Sequence, residues 1–126
     1  MEHEKLFEGE YRFMQLIWDN APINSGELVK LCESAFDWKK STTYTMIKKL
    51  CEKGYIENND AVINVLVKRD TAETEASREF VDRTFSGSIF DMFTAFYGGR
   101  KISEEEAKRL IELIDTHREG QDGNDR

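Results

Sequence analysis

The segment STTYTMIKKLCEKG, residues 41–54, predicts a short amphipathic helix around which the rest of the chain is arranged. Ser41 can accept hydrogen bonds from the first free backbone N–H groups, and Gly54 can adopt the left-handed conformation just past the end. The side chains that recur at helical spacing on one face, and that we expect to pack inward, are Thr43, Met46, Ile47 and Leu50.

The opposite face of this helix is polar. Short hydroxyl side chains reach base edges or phosphates, and lysines neutralise phosphates, so such a face suits a helix lying in the major groove of DNA. The alternative interpretation is the solvated face of an ordinary helix. The residues on this face are Ser41, Thr42, Tyr44, Thr45, Lys48 and Lys49.

Charge is unevenly distributed along the chain. The formal net charge is −7, which argues against nonspecific binding to nucleic acid. Residues 36–56 nevertheless hold five lysines against Asp37 and Glu52, a net charge of +3. An acidic body with one basic patch is compatible with DNA binding.

Length and composition limit the class of protein. A chain of 126 residues, 39% hydrophobic and 34% charged, fits one globular domain or two small units that share a core. No apolar run approaches the ~20 residues that span a bilayer, and no leader resembles a signal peptide, so we expect a cytoplasmic protein without a membrane partner. Cys32 and Cys51 show no CxxC or CxC spacing, so we expect reduced, packed thiols.

A first helix is predicted upstream, from Phe7 to Asn20, with Pro22 ending it. Residues 1–6 are polar and expected to be frayed. The apolar residues that recur every three or four positions, and so predict a buried stripe, are Phe7, Tyr11, Met14, Ile17 and Trp18.

A second helix is predicted to run to about Ser34. Asn24 and Glu27 have the spacing of a capping box at its start. Trp38, in the turn that follows, is expected to fill the core.

A small hairpin is predicted after the third helix. Residues 55–57 and 61–67 resemble two strands, and residues 58–60 carry the turn signal between them. Three helices followed by a hairpin describe a winged helix-turn-helix, which we assign to residues 1–69. Asp60 at the tip would repel phosphate, so we expect a weak wing contact.

The C-terminal half is predicted to form three helices. They cover residues 70–85 and 89–97 and the stretch after Ser103, giving a helical domain at 70–118 and a flexible tail at 119–126. The predicted fold class is therefore mainly α, with a winged helix-turn-helix followed by a three-helix domain.

The helical domain holds more large apolar side chains than short helices can cover by themselves. Burial of each contributes ~1.5–3 kcal/mol, so we expect a second copy to cover them about a two-fold axis. A self-contained helical core under the N-terminal domain is the alternative. The residues assigned to dimerisation are Phe80, Phe85, Ile89, Phe90, Phe93, Phe96, Tyr97, Leu110 and Ile114.

An ordered set of segments resembles the penicillinase repressor (BlaI/MecI/CopY) family of winged-helix regulators. The likeness rests on DW at 37–38, TTYTMIKKLCEKGYIE at 42–57, and SREFVDRTFSGSIFDMFTAFYGGRKISEEEAKRLIELI at 77–114. It therefore covers nearly the whole chain. The upstream matches are Glu10, Met14 and the pair Ile17-Trp18.

The resemblance implies a homodimeric transcriptional repressor that binds a palindromic operator in double-stranded DNA. We expect Thr42, Tyr44 and Thr45 to lie near base edges. The residues expected to contact phosphates are Lys39, Lys40, Ser41, Lys48 and Lys49.

The resemblance also suggests how the DNA could be released. Some family members are inactivated by a sensor-protease that cleaves between a polar residue and a phenylalanine. The matching position is Ala95-Phe96, where alanine replaces the polar residue. The copper-responsive branch uses a CxC pair, which this sequence lacks, so a metal-sensing role is not supported.

Three departures from the family pattern favour an alternative function. Tyr44 stands where the family commonly has a basic residue, Lys49 stands where it has arginine, and the wing is short. A winged-helix module that binds a protein partner, with weak or lost DNA binding, is the alternative. An enzyme is not expected, since no phosphate loop, metal-ligand cluster or nucleophile motif is present, and no cofactor is expected.

Overall fold

The computed structural model describes residues 3–120, and six helices and three strands lie within that range. The chain divides into two compact units after Ser77. The elements in chain order are α1 (Glu8–Asn20), β1 (Ile23–Asn24), α2 (Ser25–Phe36), α3 (Lys40–Glu52), β2 (Ile56–Asn59), β3 (Val62–Val65), α4 (Arg69–Phe85), α5 (Ile89–Tyr97) and α6 (Glu104–Thr116). The predicted fold class, mainly helical with a small antiparallel sheet, is confirmed.

One apolar core lies in the first unit, between the first three helices and the sheet. The predicted inward face of α3 is confirmed, since Thr43, Ile47 and Leu50 are buried and Met46 is half-buried against the core. Trp38 packs against this core, with its ring 5.5 Å from that of Phe13. The fully buried side chains of the first two helices are Phe13, Met14, Ile17, Leu28 and Cys32.

The start of α3 differs from the prediction. The residue that flanks the first turn is Lys39, and Ser41 lies one residue inside the helix with its side chain exposed. The backbone N–H of Thr43 instead donates to the Lys39 carbonyl, 3.1 Å away. The tight turn through Trp38 sets the first helical residue, and Ser41 is therefore free to face outward. Gly54, with φ of 91°, ends the helix as predicted.

The sheet has one strand more than the sequence predicts. Its order is β1-β3-β2, all antiparallel, with Ile23 opposite Ile63 and Ile56 opposite Val65. A two-residue strand has no periodicity of its own, so β1 is apparent only from its partner. The hairpin turn lies at Asp60 and Ala61, both with positive φ, one to two residues later than predicted.

The N-terminal residues that are described are not frayed, so that prediction is wrong for residues 3–6. The Glu4 N–H donates to the Lys53 carbonyl at 3.1 Å, and the Tyr55 hydroxyl donates to the Glu4 carbonyl at 2.6 Å. His3 lies 2.7 Å from Glu75 of α4. Phe7, predicted to be buried, is instead 60% exposed, because it precedes α1 and lies under the Lys53 ammonium.

Helices α5 and α6 and the second part of α4 form the second unit. Ser88 and Ser103 cap α5 and α6 by accepting from the Asp91 and Glu106 N–H groups, each at 3.0 Å. No residue described between 78 and 120 is fully buried. The unit therefore lacks, in a single chain, the closed core that the first unit has.

Two further expectations concern the C-terminal tail and helices that could cross a membrane. The predicted tail, 119–126, lies mostly outside the described residues, which stop at 120. Within the described range, every helix is too short or too polar to cross a bilayer.

Candidate nucleic-acid interface

The outward face of α3, together with Lys39 just before it, forms one exposed polar surface, here called the α3 face. All eight residues assigned to DNA contact are exposed on it. Thr43, Ile47 and Leu50 anchor the opposite side in the core and so fix the rotation of the helix. The residues of the α3 face are Lys39, Lys40, Ser41, Thr42, Tyr44, Thr45, Lys48 and Lys49.

The two lysines near the end of the α3 face differ in their surroundings. Lys49 Nζ lies 3.6 Å from Glu10 Oε2, although the lysine side chain remains 55% exposed. Lys48 has no carboxylate within ion-pair distance among residues 3–120. The charge of Lys48 is therefore fully available to a polyanion, whereas that of Lys49 is partly neutralised within the protein.

A buried carboxylate joins α1 to the end of α3. Glu10 Oε1 accepts from Lys53 Nζ at 2.6 Å and from the Phe7 N–H at 2.9 Å. Burial opposes ionisation, but these two hydrogen bonds and the charges of Lys53 and Lys49 hold the pKa of Glu10 below its ordinary value. The ionised carboxylate thus pins the C-terminal end of the helix that carries the α3 face.

Sequence reasoning missed this anchor. The sequence singles out Glu10 only through its match to the family pattern. The position of Glu10 in the first turn of α1 is the one local signal of this anchor, since an acid there can accept a hydrogen bond from the N–H that precedes the helix. The lysine partner lies 43 positions away and has no local signal.

Tyr44 lies on the flank of α3 that faces α2. Its hydroxyl is 3.3 Å from Ser25 Oγ, and either oxygen can be the donor. Ser25 is buried, and its N–H donates to the Ala61 carbonyl at the hairpin tip, 2.8 Å away. Tyr44 therefore links the α3 face to the start of α2.

The wing offers few cations. Arg69, which follows the hairpin, donates from Nη2 to Asp19 Oδ1 at 2.6 Å and to the Gln15 carbonyl at 3.1 Å. Asp60 at the tip is exposed, and Lys68 is the exposed base near the hairpin. The α3 face, with four exposed lysines, therefore carries more positive charge than the wing.

A second surface lies in the C-terminal unit. Helices α4, α5 and α6 expose large apolar side chains, with Phe90 the most exposed at 76%. Ala95 and Phe96, the position matched to the cleavage site, are both exposed within α5. Of the residues assigned to dimerisation, those that are exposed are Phe80, Ile89, Phe90, Phe96 and Ile114. Those that are half-buried are Phe85, Phe93, Tyr97 and Leu110.

The two cysteines are unpaired and packed. Cys32 is buried in the core and Cys51 is half-buried. Burial raises the pKa of both thiols, and Glu52 adds to the effect at Cys51. Among the described residues no group of histidine, cysteine and carboxylate side chains is arranged to hold a metal ion.

Comparison with known proteins identifies relatives over almost the full length. The model of the family described as penicillinase repressor matches residues 7–116. The penicillinase repressor of Bacillus licheniformis is 23% identical over 118 residues, which cover 90% of this chain and 92% of that protein. The methicillin resistance regulatory protein MecI of Staphylococcus aureus (strain Mu50 / ATCC 700699) is 21% identical over 114 residues, 87% of this chain and 93% of that protein.

Proposed function

The chain belongs to the penicillinase repressor family, and from this premise we propose that it binds a palindromic DNA operator as a homodimer and represses transcription. The chain is a member of a family of regulators and is not an enzyme, as its sequence predicts. The cytoplasm is the compartment in which such a repressor would act.

The observation that carries the proposal is the α3 face. Hydroxyl and lysine side chains project together from a helix whose inner side is locked in the core, which is the presentation that a major-groove helix needs. Thr42, Tyr44 and Thr45 would lie near base edges. The phosphate contacts would come from Lys39, Lys40, Ser41, Lys48 and, more weakly, Lys49.

The dimer part of the proposal is supported by the apolar surface of the C-terminal unit. Five of the nine residues assigned to dimerisation are exposed in the single chain. A second copy related by a two-fold axis would cover the same side chains on both subunits. Two α3 faces would then meet half-sites about one helical turn, ~34 Å, apart.

The alternative, a module that binds a protein and not DNA, is favoured by two observations. The chain carries a net charge of −7, and the wing has Asp60 at its tip while Arg69 is already paired with Asp19. These features weaken the electrostatic attraction to DNA phosphates and leave the α3 face unchanged.

Selection of bound duplexes from a random pool by the full chain tests the proposal. We expect a palindrome to emerge, and fluorescence anisotropy should then show specific binding that weakens as salt rises. Absence of any enriched sequence at low salt, with the protein folded, would contradict operator binding and favour the protein-binding alternative.

Release of the DNA by a sensor-protease is a separate part of the proposal. The Ala95-Phe96 bond lies within α5, so cleavage there would cut through the unit proposed to form the dimer. Co-expression with a candidate protease and mass spectrometry of the products would locate the cut. A cut elsewhere, or none, would remove this part of the proposal and leave operator binding unaffected.

A further inference from the structure

Tyr44 is the one aromatic side chain of the α3 face, and its hydroxyl is already occupied. It lies 3.3 Å from Ser25 Oγ, and Ser25 is only 5% exposed. The backbone of Ser25 is in turn held by the Ala61 carbonyl. The hydroxyl is therefore directed toward the buried Ser25, while the residue as a whole remains 38% exposed.

The neighbours of Tyr44 on the α3 face are polar. Ser41 precedes it by three residues and Lys48 follows it by four, so all three lie along one line on the helix surface. Hydrogen-bonding groups therefore flank an apolar ring edge. In the major groove the apolar feature that distinguishes one base pair from the others is the C5-methyl group of thymine.

We propose that Tyr44 selects an A·T pair in each half-site by packing its ring edge against the thymine methyl group, while Ser25 holds the hydroxyl away from the DNA. The inference rests on the proposed function and deepens it, because it assigns a base preference to one residue. A Tyr44 that donated its hydroxyl to a base edge would behave differently in the experiment below.

The experiment uses the full-length protein and a duplex selected by it from a random pool. Each thymine of one half-site, and its symmetry mate, is replaced in turn by deoxyuridine, which removes only the C5-methyl group. At one position we expect affinity to fall about fourfold per half-site, the effect of losing one buried methyl contact. The same duplexes are then measured with Tyr44→Phe and Tyr44→Ala.

Two results are expected for the variants. Tyr44→Phe should keep the preference for thymine over deoxyuridine at that position, since the ring remains. Tyr44→Ala should bind both duplexes equally. A preference that persists in Tyr44→Ala would show that another side chain contacts the methyl group, and would overturn the inference. Equal weakening of both duplexes by Tyr44→Phe would also overturn it, because the hydroxyl would then bond a polar group that thymine and deoxyuridine share.

The test separates failure of the inference from failure of the proposed function. If no duplex is selected, operator binding itself fails. If a duplex is selected but no thymine-to-deoxyuridine change weakens binding of the unaltered protein, only the role of Tyr44 fails, and this result does not depend on whether Tyr44→Ala folds.

Discussion

Lys48 and Lys49 are adjacent in the chain, yet the structure gives them different electrostatic surroundings. Lys49 faces the Glu10 carboxylate at 3.6 Å, whereas Lys48 has no acidic partner among residues 3–120. Position along the helix face, and not residue type, decides this difference. The two lysines are therefore expected to contribute unequally to the proposed DNA contact.

Replacing each lysine in turn tests this separation. Lys48→Ala should weaken binding to every duplex and reduce the slope of log K against log salt by about 1, the loss of one phosphate contact. Lys49→Ala should reduce it by less, because Glu10 already offsets part of the charge. Anisotropy titrations at four salt concentrations give both slopes.

Lys108→Ala, which removes an exposed lysine from α6, is the matched control and should leave the slope unchanged. Equal effects of Lys48→Ala and Lys108→Ala would contradict a phosphate contact at Lys48.

Glu10 is the residue whose ionisation we expect to affect stability most in acid. Its pKa is lowered in the folded chain, so its contribution to stability is present above the unfolded pKa and is lost as pH falls through the lowered value. Glu10→Gln should cost about 1.5–3 kcal/mol at pH 7, because Lys53 loses its charged acceptor, and should flatten the stability profile below pH 5. Urea unfolding from pH 3 to 7 measures both.

Glu8→Gln removes an exposed acid from the same helix turn and should leave the profile close to that of the unaltered chain. An acid dependence that survives in Glu10→Gln would mean that other carboxyl groups are responsible.

At the scale of elements, the segment before α1 is tied into the first unit. Glu4, Lys5 and the Tyr55 hydroxyl connect it to the residues just after α3 through the hydrogen bonds of Lys53 and Tyr55. These contacts hold the end of α3, whereas core residues anchor its middle. The orientation of the α3 face thus depends on a segment that has no regular structure.

Tyr55 gives a measure of this attachment. Burial, with the charges of Glu75 and Glu10, raises the pKa of Tyr55 to about 12. The unfolded chain releases this proton near pH 10, so stability should fall as pH rises from about 10 to 12. Tyr55→Phe should lose about 1 kcal/mol at pH 7, the net value of one hydrogen bond, and should show a weaker decline in alkali.

Tyr44→Phe is the control for this comparison, because it removes the hydroxyl of a more exposed tyrosine. Chemical unfolding at pH 7, 10 and 12 distinguishes the variants. An alkaline decline of the same size in Tyr55→Phe and in the unaltered chain would contradict the assignment.

At the scale of the whole molecule, the two units differ in how far they bury their apolar side chains. The first encloses a core of fully buried side chains, whereas none of the residues described between 78 and 120 is fully buried. The second unit exposes Phe90, Ile111 and Ile114 together with other apolar side chains. In the proposed function, a second copy of the chain covers these apolar side chains.

Phe90→Asp should disrupt the proposed dimer. Each copy would lose one buried phenylalanine and bury a charge instead, so two such losses of ~1.5–3 kcal/mol weaken association at least about a hundredfold. Sedimentation velocity over a range of concentrations should show a dimer for the unaltered chain and a monomer for the variant.

Phe7→Asp alters an equally apolar, 60% exposed residue of the first unit and should leave the dimer intact. A monomeric unaltered chain at micromolar concentration would contradict the dimer outright, whatever the variants show.

The sequence by itself determined the helices, the hairpin and the residues of α3 that face outward. Each of these follows from periodicity, caps and turn residues within one segment. The helix limits agree to within about two residues, and Gly54, Ser88 and Ser103 account for three of them. The error at Ser41 arose because a nearby turn, and not the capping residue, set the first helical position. Periodicity also identified the surplus of apolar side chains after residue 78.

Only the tertiary structure decided which groups on the α3 face are already engaged. The partners of Glu10, Tyr44 and Tyr55 lie 43, 19 and 51 positions away, and β1 exists only beside β3. Such contacts depend on how packed elements meet, and no local pattern encodes the distance between two side chains on different elements. For this reason the sequence predicts a surface of eight candidate residues, whereas the fold distinguishes a free Lys48 from a partly neutralised Lys49 and from a Tyr44 whose hydroxyl is occupied.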